Sequence, residues 1–497
     1  MNSDTTDVSG PRKAALAFIF VTVVLDVLSL SVTIPVAPKL IEGMIFEQQL
    51  REQELEPEGA SPETAADIID LLREAEDAGP ETSAASEISS QFGLSQAKAD
   101  QVAQLSLAEI TANATYYAGI FGAVWALMQF IFSPVIGALS DRFGRRKVIL
   151  VSCFGLGFDY VLMALAPNLG WLFLGRILSG ITAASFATAS AYIADVTAPE
   201  KRAASFGMVG AAWGLGFVLG PFVGGQLGEF GIRWPFWLAA GLTLANAVYG
   251  LFVLPESLSK EKRTKKFSIS RANPLGSVKF LGSHRQLLGL ALVLLIYQIA
   301  HQVFPSVFVL YAGHRYGWGP RTVGNTLMVV GLVGVVMQGF VVRKAAPLLG
   351  EKRMLFVALI FGAAGYFIYG IASNGWLFWS AIPVFAFVGF FNPAIQGLMT
   401  RRVSESEQGR LQGANSSLMG IAGMLGPLIF SGVFYLAING QIGSASIPGA
   451  PFVLATLLHV IAMGVAVVVL RREESLPAES SGQPADGTAG DTEEAGD

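Results

Sequence analysis

The stretch GALSDRFGRRK, residues 137–147, lies between two apolar blocks at 116–139 and 148–166. Gly137 lacks a side chain and lets two helices approach closely, and Asp141 is placed to pair with an arginine or a helix N-terminus. An ordinary turn on the positively charged side of a membrane explains the basic residues, but neither the glycine nor the acid. The stretch therefore predicts a charged turn between two membrane-spanning helices that pack closely.

Apolar blocks of this kind recur along the chain. Of 497 residues, 52% are hydrophobic and only 14% are charged. The apolar residues come in blocks of roughly 18 to 25, long enough to cross a bilayer. The sequence therefore predicts an all-α integral membrane protein with twelve spans. The spans are expected at residues 14–38, 116–139, 148–166, 171–194, 204–226, 234–254, 287–311, 322–342, 354–372, 376–399, 411–436 and 451–470.

The basic residues predict the orientation of the spans. Of 33 Lys and Arg, 25 lie on the side shared by the two termini, the central loop and the loops near 145, 201, 352 and 402. Because Lys and Arg are retained in the cytoplasm, both termini are expected inside and residues 41–113 outside. This outer segment holds 16 acidic and 3 basic side chains, whereas the membrane body carries a net charge of +17.

An internal repeat divides the chain into halves. Gly220 and Pro221 recur 206 residues later as Gly426 and Pro427, and other glycine and basic positions share this offset. Two six-span halves related in this way are found in many secondary transporters. The sequence therefore predicts a two-half transporter fold.

The repeat also isolates an insert after the first span. Pro35 and Pro305 are 270 residues apart, so about 64 residues are additional. Ser61 is placed as the N-cap of a helix that Gly79 ends, and a second helical stretch is expected at about 94–112. One interpretation is an acidic helical hairpin outside the membrane. The other is a binding surface for cations, a partner or the entering substrate.

The predicted organisation has six segments. They are the N-terminus and first span at 1–40, the acidic, partly helical insert at 41–113, spans 2–6 at 114–255, a basic cytoplasmic linker at 256–286, the second half at 287–470 and a disordered acidic tail at 471–497. The linker is expected on the anionic cytoplasmic leaflet, and the composition of the tail favours disorder.

Span 5 contains the glycine-rich run GLGFVLGPFVGG at 214–225. Glycines four residues apart give a smooth face for close helix packing, and the proline removes one backbone hydrogen bond and bends the helix. A purely structural glycine motif is the alternative to a functional one. The motif residues are Gly216, Gly220, Pro221, Gly224 and Gly225.

Three charged residues lie inside predicted spans. Asp26 is about 12 residues into span 1 and Asp159 about 11 residues into span 3, which places each roughly 17 Å deep. Equal depth suggests one cavity in which a carboxylate loads and releases a proton. Arg176 lies in span 4, where an arginine is costly unless paired. The alternatives are static, hydrogen-bonded acids and an arginine that reaches out to the interface.

Polar side chains also lie in the predicted spans of the second half. They are suited to hydrogen bonds with a polar substrate, although contacts between helices are an equal alternative. His459 in span 12 is interpreted as structural. The cavity candidates are Gln298, His301, Gln302, Gln338, Asn392 and Gln396.

The stretch GALSDRFGRRK at residues 137–147 resembles the signature of the major facilitator superfamily. The resemblance implies a cytoplasmic latch between the halves, with a degenerate second copy near 349–353. The run in span 5 resembles the superfamily motif that marks antiporters, and the resemblance implies proton coupling for the arginine of span 4. The implied gating residues are Gly137, Asp141, Arg142, Gly144, Arg145 and Arg146.

Nearly the whole chain outside the insert and tail is similar to the tetracycline-efflux branch of the drug/proton antiporters. The runs that carry the similarity are DVLSLSVTIPVAPKL, DYVLMALAP, GRILSGITAAS, AYIADVTAPEKRAASFG, GLGFVLGP, LPES and GRLQG. This chain departs from the branch in its second half: Gly334 replaces the pumps' membrane histidine, and Gly362 replaces their aspartate. His301 is a possible substitute in a different helix.

The sequence therefore predicts a monomeric, proton-coupled exporter of small organic molecules or drugs in the cytoplasmic membrane. No enzyme activity, cofactor, metal site or nucleic-acid surface is implied, and no phosphate-binding loop is present for ATP. Two alternatives remain. One is a facilitator or importer of a metabolite, and the other is a transporter-derived receptor or scaffold that acts through the acidic insert.

Overall fold

A computed structural model describes residues 9–78, 84–183, 185–197, 202–264, 281–282, 285–404, 407–441 and 446–474. Throughout these ranges the chain is helical and contains no strand. The predicted helix stop Gly79, most of the basic linker and the predicted tail from residue 475 onward lie outside the described residues.

The first half and the insert comprise eleven α-helices. They are α1 (Ser9–Val32), α2 (Ala37–Glu52), α3 (Pro62–Ala78), α4 (Ala84–Phe92), α5 (Gln96–Ala103), α6 (Leu107–Phe143), α7 (Arg145–Leu165), α8 (Leu169–Thr182), α9 (Ser185–Val196), α10 (Arg202–Gly228) and α11 (Trp234–Val253).

The second half comprises eight α-helices. They are α12 (Arg285–His301), α13 (Val303–Tyr316), α14 (Pro320–Val336), α15 (Arg343–Ile371), α16 (Gly375–Phe385), α17 (Phe391–Thr400), α18 (Gln408–Ile438) and α19 (Ala450–Glu474). A π-helical turn at Met337–Val342 joins α14 to α15, and a 3₁₀ turn at Ala386–Phe390 joins α16 to α17.

Each of the twelve predicted spans coincides with helix. Ten segments of the described chain are long and apolar enough to cross a membrane. One of them, Pro320–Ile371, contains both span 8 and span 9, and span 4 corresponds to the shorter α8 and α9. The predicted all-α, twelve-span architecture is therefore confirmed.

The 206-residue repeat is visible in local structure. Gly144 and Gly350 both adopt positive φ, at +101° and +70°. Gly144 lies in the turn before the third span, and Gly350 lies at a kink within α15 that precedes the ninth span. Asn168 and Asn374, again 206 residues apart, each cap a helix by accepting hydrogen bonds from backbone N–H groups one turn on. Such caps satisfy donors that a helix leaves unpaired. The repeat therefore preserves both turn geometry and helix starts.

The insert folds around its own apolar core. Phe46, Ile68, Ile88 and Val102 are buried together in a cluster separate from that of the membrane body. As predicted, Ser61 caps α3 by accepting a hydrogen bond from the Thr64 N–H at 3.2 Å.

The predicted helical stretch at about 94–112 is helical except for an interruption at 104–106, where the helix stops at the end of α5 and restarts at α6. Ser106 causes the restart by accepting a hydrogen bond from the Glu109 N–H at 3.3 Å. An extended residue that caps a new helix cannot also continue the preceding one. The α6 helix then runs for 37 residues from the insert through the membrane body.

Candidate functional site

Among the described residues, the latch residues form a charged network with helix ends of the first half and with the start of the linker. Arg145 pairs with Asp141 at 2.5 Å and with Asp195 at 3.2 Å. Its backbone N–H donates to Glu256 at 2.9 Å. Arg146 donates to the Leu251 carbonyl at 2.6 Å. The network joins the turn between α6 and α7 to the ends of α9 and α11.

Two of these carboxylates had no predicted role. Asp195 and Glu256 occur in the runs AYIADV and LPES, which follow predicted spans on the same side as the latch. Their predicted location on that side could have indicated that these two acids lie near the arginines of the turn. Arg142 lies over the Phe143 ring, 5.2 Å from its centroid. Gly144 provides the positive φ of the turn, where a side chain would overlap Glu256.

Gly137 faces open space in this structure. A methyl group built on it meets no described residue within 4 Å. A methyl group on Gly119, 18 residues earlier in the same helix and nearer the insert, would lie 2.5 Å from Ser431. The two halves are therefore in contact toward the insert end of α6 and apart at the latch end.

The Gly137→Val substitution is expected to leave thermal stability unchanged but to slow transport by tenfold or more. The added side chain fits this state but obstructs the close helix approach needed when the latch end closes. Thermal unfolding in detergent and transport in vesicles check the two parts. Gly241→Val is the control, because Gly241 also meets nothing within 4 Å and is exposed on α11. Equal transport in both variants would refute a gating role for Gly137.

The glycine motif of α10 contacts a different helix on each of two faces. A methyl group at Gly220 would overlap the Ser31 hydroxyl of α1, and one at Gly224 would overlap the Val32 carbonyl. On the other face, Gly225 would place it 2.5 Å from the Pro320 carbonyl of α14. Gly216 also faces α1, and its carbonyl accepts a hydrogen bond from Ser31 at 2.9 Å. The predicted close packing is confirmed.

The equivalent contact in the second half uses a glycine on the opposite helix. In α18, Ser431 stands where the repeat would place a glycine, and it packs against Gly119 of α6. One small residue is enough to bring two helices together, so Gly119 of α6 compensates for the missing glycine in α18.

Polar contacts also join the halves at the insert end. Gln226 of α10 donates to Asn325 of α14 at 3.2 Å, and the Arg321 N–H donates to Glu229 at 3.3 Å. Together with the glycine contacts, they define a state closed at the insert end.

The two membrane acids differ in their surroundings. Asp159 of α7 is 1% exposed, and neither carboxylate oxygen has a hydrogen-bond partner among the described residues. Asp26 of α1 accepts a hydrogen bond from Asn246 of α11 at 3.5 Å. The Thr22 hydroxyl in turn donates to the Asn246 amide oxygen at 3.1 Å. Asn246 and Thr22 were not predicted, since neither amide nor hydroxyl stands out in an apolar span.

Arg176 is the charged neighbour of Asp159. The guanidinium and the carboxylate interact electrostatically, and Tyr160 lies within electrostatic range of both of them and of Asp26. The structure therefore brings the three charged residues of the first half to one region. A charge in an apolar span is costly without such a partner.

The polar residues of the second half lie in two groups rather than one. His301 and the Tyr366 hydroxyl share a hydrogen bond of 3.3 Å, whose direction depends on the tautomer of the histidine. The His301 ring is stacked on Tyr297 and Phe385. Gln298 lies one turn before it, and Gln302 packs against Gly426. The ring of His301 is exposed, whereas the aromatic residues around it are buried and hold it in place.

The second group lies toward the latch end. Gln396 of α17 accepts hydrogen bonds from Gln412 at 3.1 Å and Asn415 at 3.3 Å. Gln338, in the π-helical turn, donates to the Gly389 carbonyl at 3.2 Å, and Asn392 is exposed. These contacts join helices of the same half.

His459 packs beside Gly362. Position 362 is the one at which, by the resemblance, the tetracycline pumps have an aspartate. The His459 ring is fully buried and would lie 2.7 Å from a methyl group on Gly362. Its Nδ1 contacts the Ala455 carbonyl at 3.1 Å, and Nε2 has no partner within the described ranges. A packing role for His459 is therefore consistent with its surroundings.

The Gly362→Ala substitution is expected to destabilise the protein by about 1–3 kcal/mol, because the methyl group overpacks against His459. Adding His459→Ala is expected to remove part of that cost, a coupling that a double-mutant cycle measures. Gly334→Ala is the control, since a methyl group there meets nothing within 4 Å. Equal thermal midpoints for the two single variants would contradict the packing described here.

Among the described residues, no group of three or more His, Cys, Asp or Glu is arranged to hold a metal ion. Two six-helix halves, joined at one end and enclosing charged residues, define a membrane transporter. The comparisons identify its family. The family model of the Major Facilitator Superfamily matches residues 82–427 and 345–491. The chain belongs to this superfamily, whose members are transporters and not enzymes.

Two curated relatives are resistance proteins by name. Tetracycline resistance protein, class C, from Escherichia coli is 37% identical over 69% of this chain and 86% of its own length. Multidrug resistance protein 2 from Bacillus subtilis is 30% identical over 70% of this chain and 85% of its own length. The solved human organic anion transporter MFSD10 (TETRAN) has the same fold, with a TM-score of 0.60 and 20% identity. The match covers 92% of this chain and 100% of that structure's chain.

Proposed function

We propose that this protein exports small organic molecules or drugs across the cytoplasmic membrane in exchange for protons, by alternating access. The observation that carries the proposal is Asp159, a buried carboxylate without a hydrogen-bond partner in the described chain and with Arg176 as its charged neighbour. Removing a drug from the cell confers resistance to it, so the names of the tetracycline and multidrug resistance relatives support export as the direction.

The pair of Asp159 and Arg176 suits a proton carrier. An ionised carboxylate in an apolar span is costly, and a nearby guanidinium reduces that cost. Because Asp159 makes no hydrogen bond to a described residue, its two protonation states differ mainly in their electrostatic interaction with Arg176. Gaining a proton removes the attraction to the arginine, and losing the proton restores it. This exchange provides a two-state element to which helix movement is coupled.

The closed insert end supports alternating access. In this state the α10–α14 and α6–α18 contacts seal the outer side, while Gly137 at the latch end has no described residue against it. Substrate would enter from the cytoplasm, next to the exposed ring of His301. Reversal requires the latch ends to meet and the outer contacts to part.

The substrate class follows from the second-half surface. The ring of His301 is exposed beside Gln298 and Gln302, and the buried rings of Tyr297 and Phe385 stack on it. Such a surface fits a planar organic molecule with hydrogen-bonding groups. The protein acts as a monomer with both termini in the cytoplasm.

The test is uptake of a panel of planar drugs, tetracyclines included, into everted membrane vesicles with an imposed pH gradient, acid inside. Uphill uptake that a protonophore abolishes is the expected result. Downhill movement that ignores the gradient would instead establish the facilitator alternative. Absence of transport for any compound, with a partner bound to residues 41–113, would establish the receptor alternative.

A further inference from the structure

A groove of about 720 Å³ lies between the insert and the membrane body of the first half. Its walls are one face of α2, the loop before α3 and the outer ends of α7 and α11. No residue of the latch, the α10 motif or the proton-coupling set lines it. The groove is therefore distinct from the proposed transport path.

One wall of the groove continues into an apolar stripe along α7. Val151, Phe158 and Leu165 are spaced by seven residues and are all strongly exposed, with Leu165 62% exposed at the groove. Seven residues make about two helical turns, so the three side chains share one face. The stripe rises about 21 Å, compared with about 15 Å of hydrocarbon in one leaflet. It is long enough to hold an acyl chain.

Aromatic side chains place the groove at the membrane surface. Trp237 lines the groove, and Trp234 and Phe230 are exposed close by, at the start of α11 and just before it. Tryptophan is enriched where a protein meets lipid headgroups. The groove therefore opens at headgroup level, with its apolar stripe below.

An arginine that lines the groove has one guanidinium nitrogen without a hydrogen bond to the described residues. Arg233 pairs with Glu63 through Nε and donates through Nη1 to the Ala164 and Ala166 carbonyls, each at 2.8 Å. Its Nη2 makes no hydrogen bond to any described residue. A guanidinium held in this way is suited to a phosphate oxygen.

A carboxylate lies in the insert wall of the same groove. Glu47 of α2 is largely buried, with its side chain 11% exposed, and one of its oxygens accepts a hydrogen bond from Arg51 at 2.8 Å. Its other oxygen accepts none from the described residues. That oxygen can accept from an ammonium group, which donates up to three hydrogen bonds.

The geometry points to a binding site for a phospholipid with a primary ammonium headgroup, of the phosphatidylethanolamine type, in the leaflet on the insert side. An acyl chain lies on the α7 stripe, the phosphate meets Arg233, and the ammonium meets Glu47. The site exists only because the insert supplies one wall. The bound lipid would join the insert to the first half.

Headgroup selectivity is the property to measure. The protein is reconstituted in nanodiscs that contain equal amounts of phosphatidylethanolamine, phosphatidylcholine and phosphatidylglycerol, and retained lipid is identified by native mass spectrometry. We expect about tenfold preference for phosphatidylethanolamine, because choline has no N–H to donate and glycerol has no positive charge. Glu47→Gln should abolish the preference. Glu58→Gln, an equal charge change at an exposed position outside the groove, should preserve it.

A second variant tests the apolar half of the site. Leu165→Asn changes an exposed side chain, so folding should be unaffected, and retention of every phospholipid at this site should fall. Equal retention of the three headgroups, or a preference that persists in Glu47→Gln, would overturn the proposal. Displacement of the lipid by soluble glycerophosphoethanolamine at matched concentration would also overturn it, because the acyl chain would then contribute nothing.

Discussion

Replacing Asp159 with asparagine is expected to abolish proton-driven transport, lowering uphill uptake at least a hundredfold. Asparagine has nearly the same shape but cannot gain or lose a proton, and a positioned proton-transfer group typically contributes a factor of about 10² to 10⁴. Since neither carboxylate oxygen makes a hydrogen bond in the described structure, the amide should disturb no such contact. The measurement is uptake of a transported drug into everted vesicles with and without a pH gradient.

Two further variants, Asp100→Asn and Asp26→Asn, provide a control and a comparison for Asp159→Asn. Asp100→Asn, on the exposed surface of α5 in the insert, should transport as the wild type does. Asp26→Asn is expected to cost less, about tenfold, because Asn246 already provides Asp26 with a hydrogen-bond partner. If Asp159→Asn still concentrates drug against a gradient in response to pH, the carboxylate is structural and the proposed coupling fails.

Gly224→Ala is expected to prevent normal folding or to cost at least about 3 kcal/mol of stability. The added methyl group would overlap the backbone carbonyl of Val32. Overpacking a core usually costs about 1–3 kcal/mol, and a clash with backbone belongs at the upper end because no side-chain rotamer relieves it. Yield of monodisperse protein and thermal unfolding measure the effect.

The matched control lies in the same motif. At Gly214 an added methyl group would lie 3.9 Å from Val335, an ordinary van der Waals contact. Gly214→Ala should therefore fold with an unchanged thermal midpoint. Similar stability in the two variants would show that α1 and α10 are less closely packed than the structure indicates.

Most of the fold could be predicted because membrane helices are specified locally. Apolar length located the spans, and the 206-residue offset of Gly220 and Pro221 identified the halves without knowledge of contacts. The same offset reappears in the positive φ of Gly144 and Gly350. The break between α5 and α6 was missed, since a single serine cap at Ser106 gives a weak signal within a helical composition.

The candidate site was only partly predictable. Asp26, Asp159 and Arg176 stand out because charge in an apolar span is rare. Asn246, which contacts Asp26 from α11, could not be assigned, because the pairing of distant helices is set by tertiary packing. The position of His459 beside Gly362 is likewise a result of packing between α15 and α19. The division of the second half's polar residues into two groups likewise depends on tertiary packing and could not be derived from the sequence.

The central claim is that substrate export and proton entry are one coupled process. The most direct measurement is the internal pH of proteoliposomes that contain the purified protein and a pH-sensitive dye, after a gradient of transported drug is imposed. The account predicts proton movement opposite to the drug in the wild type and none in Asp159→Asn. Drug movement of equal rate with no change of pH in either protein would contradict it.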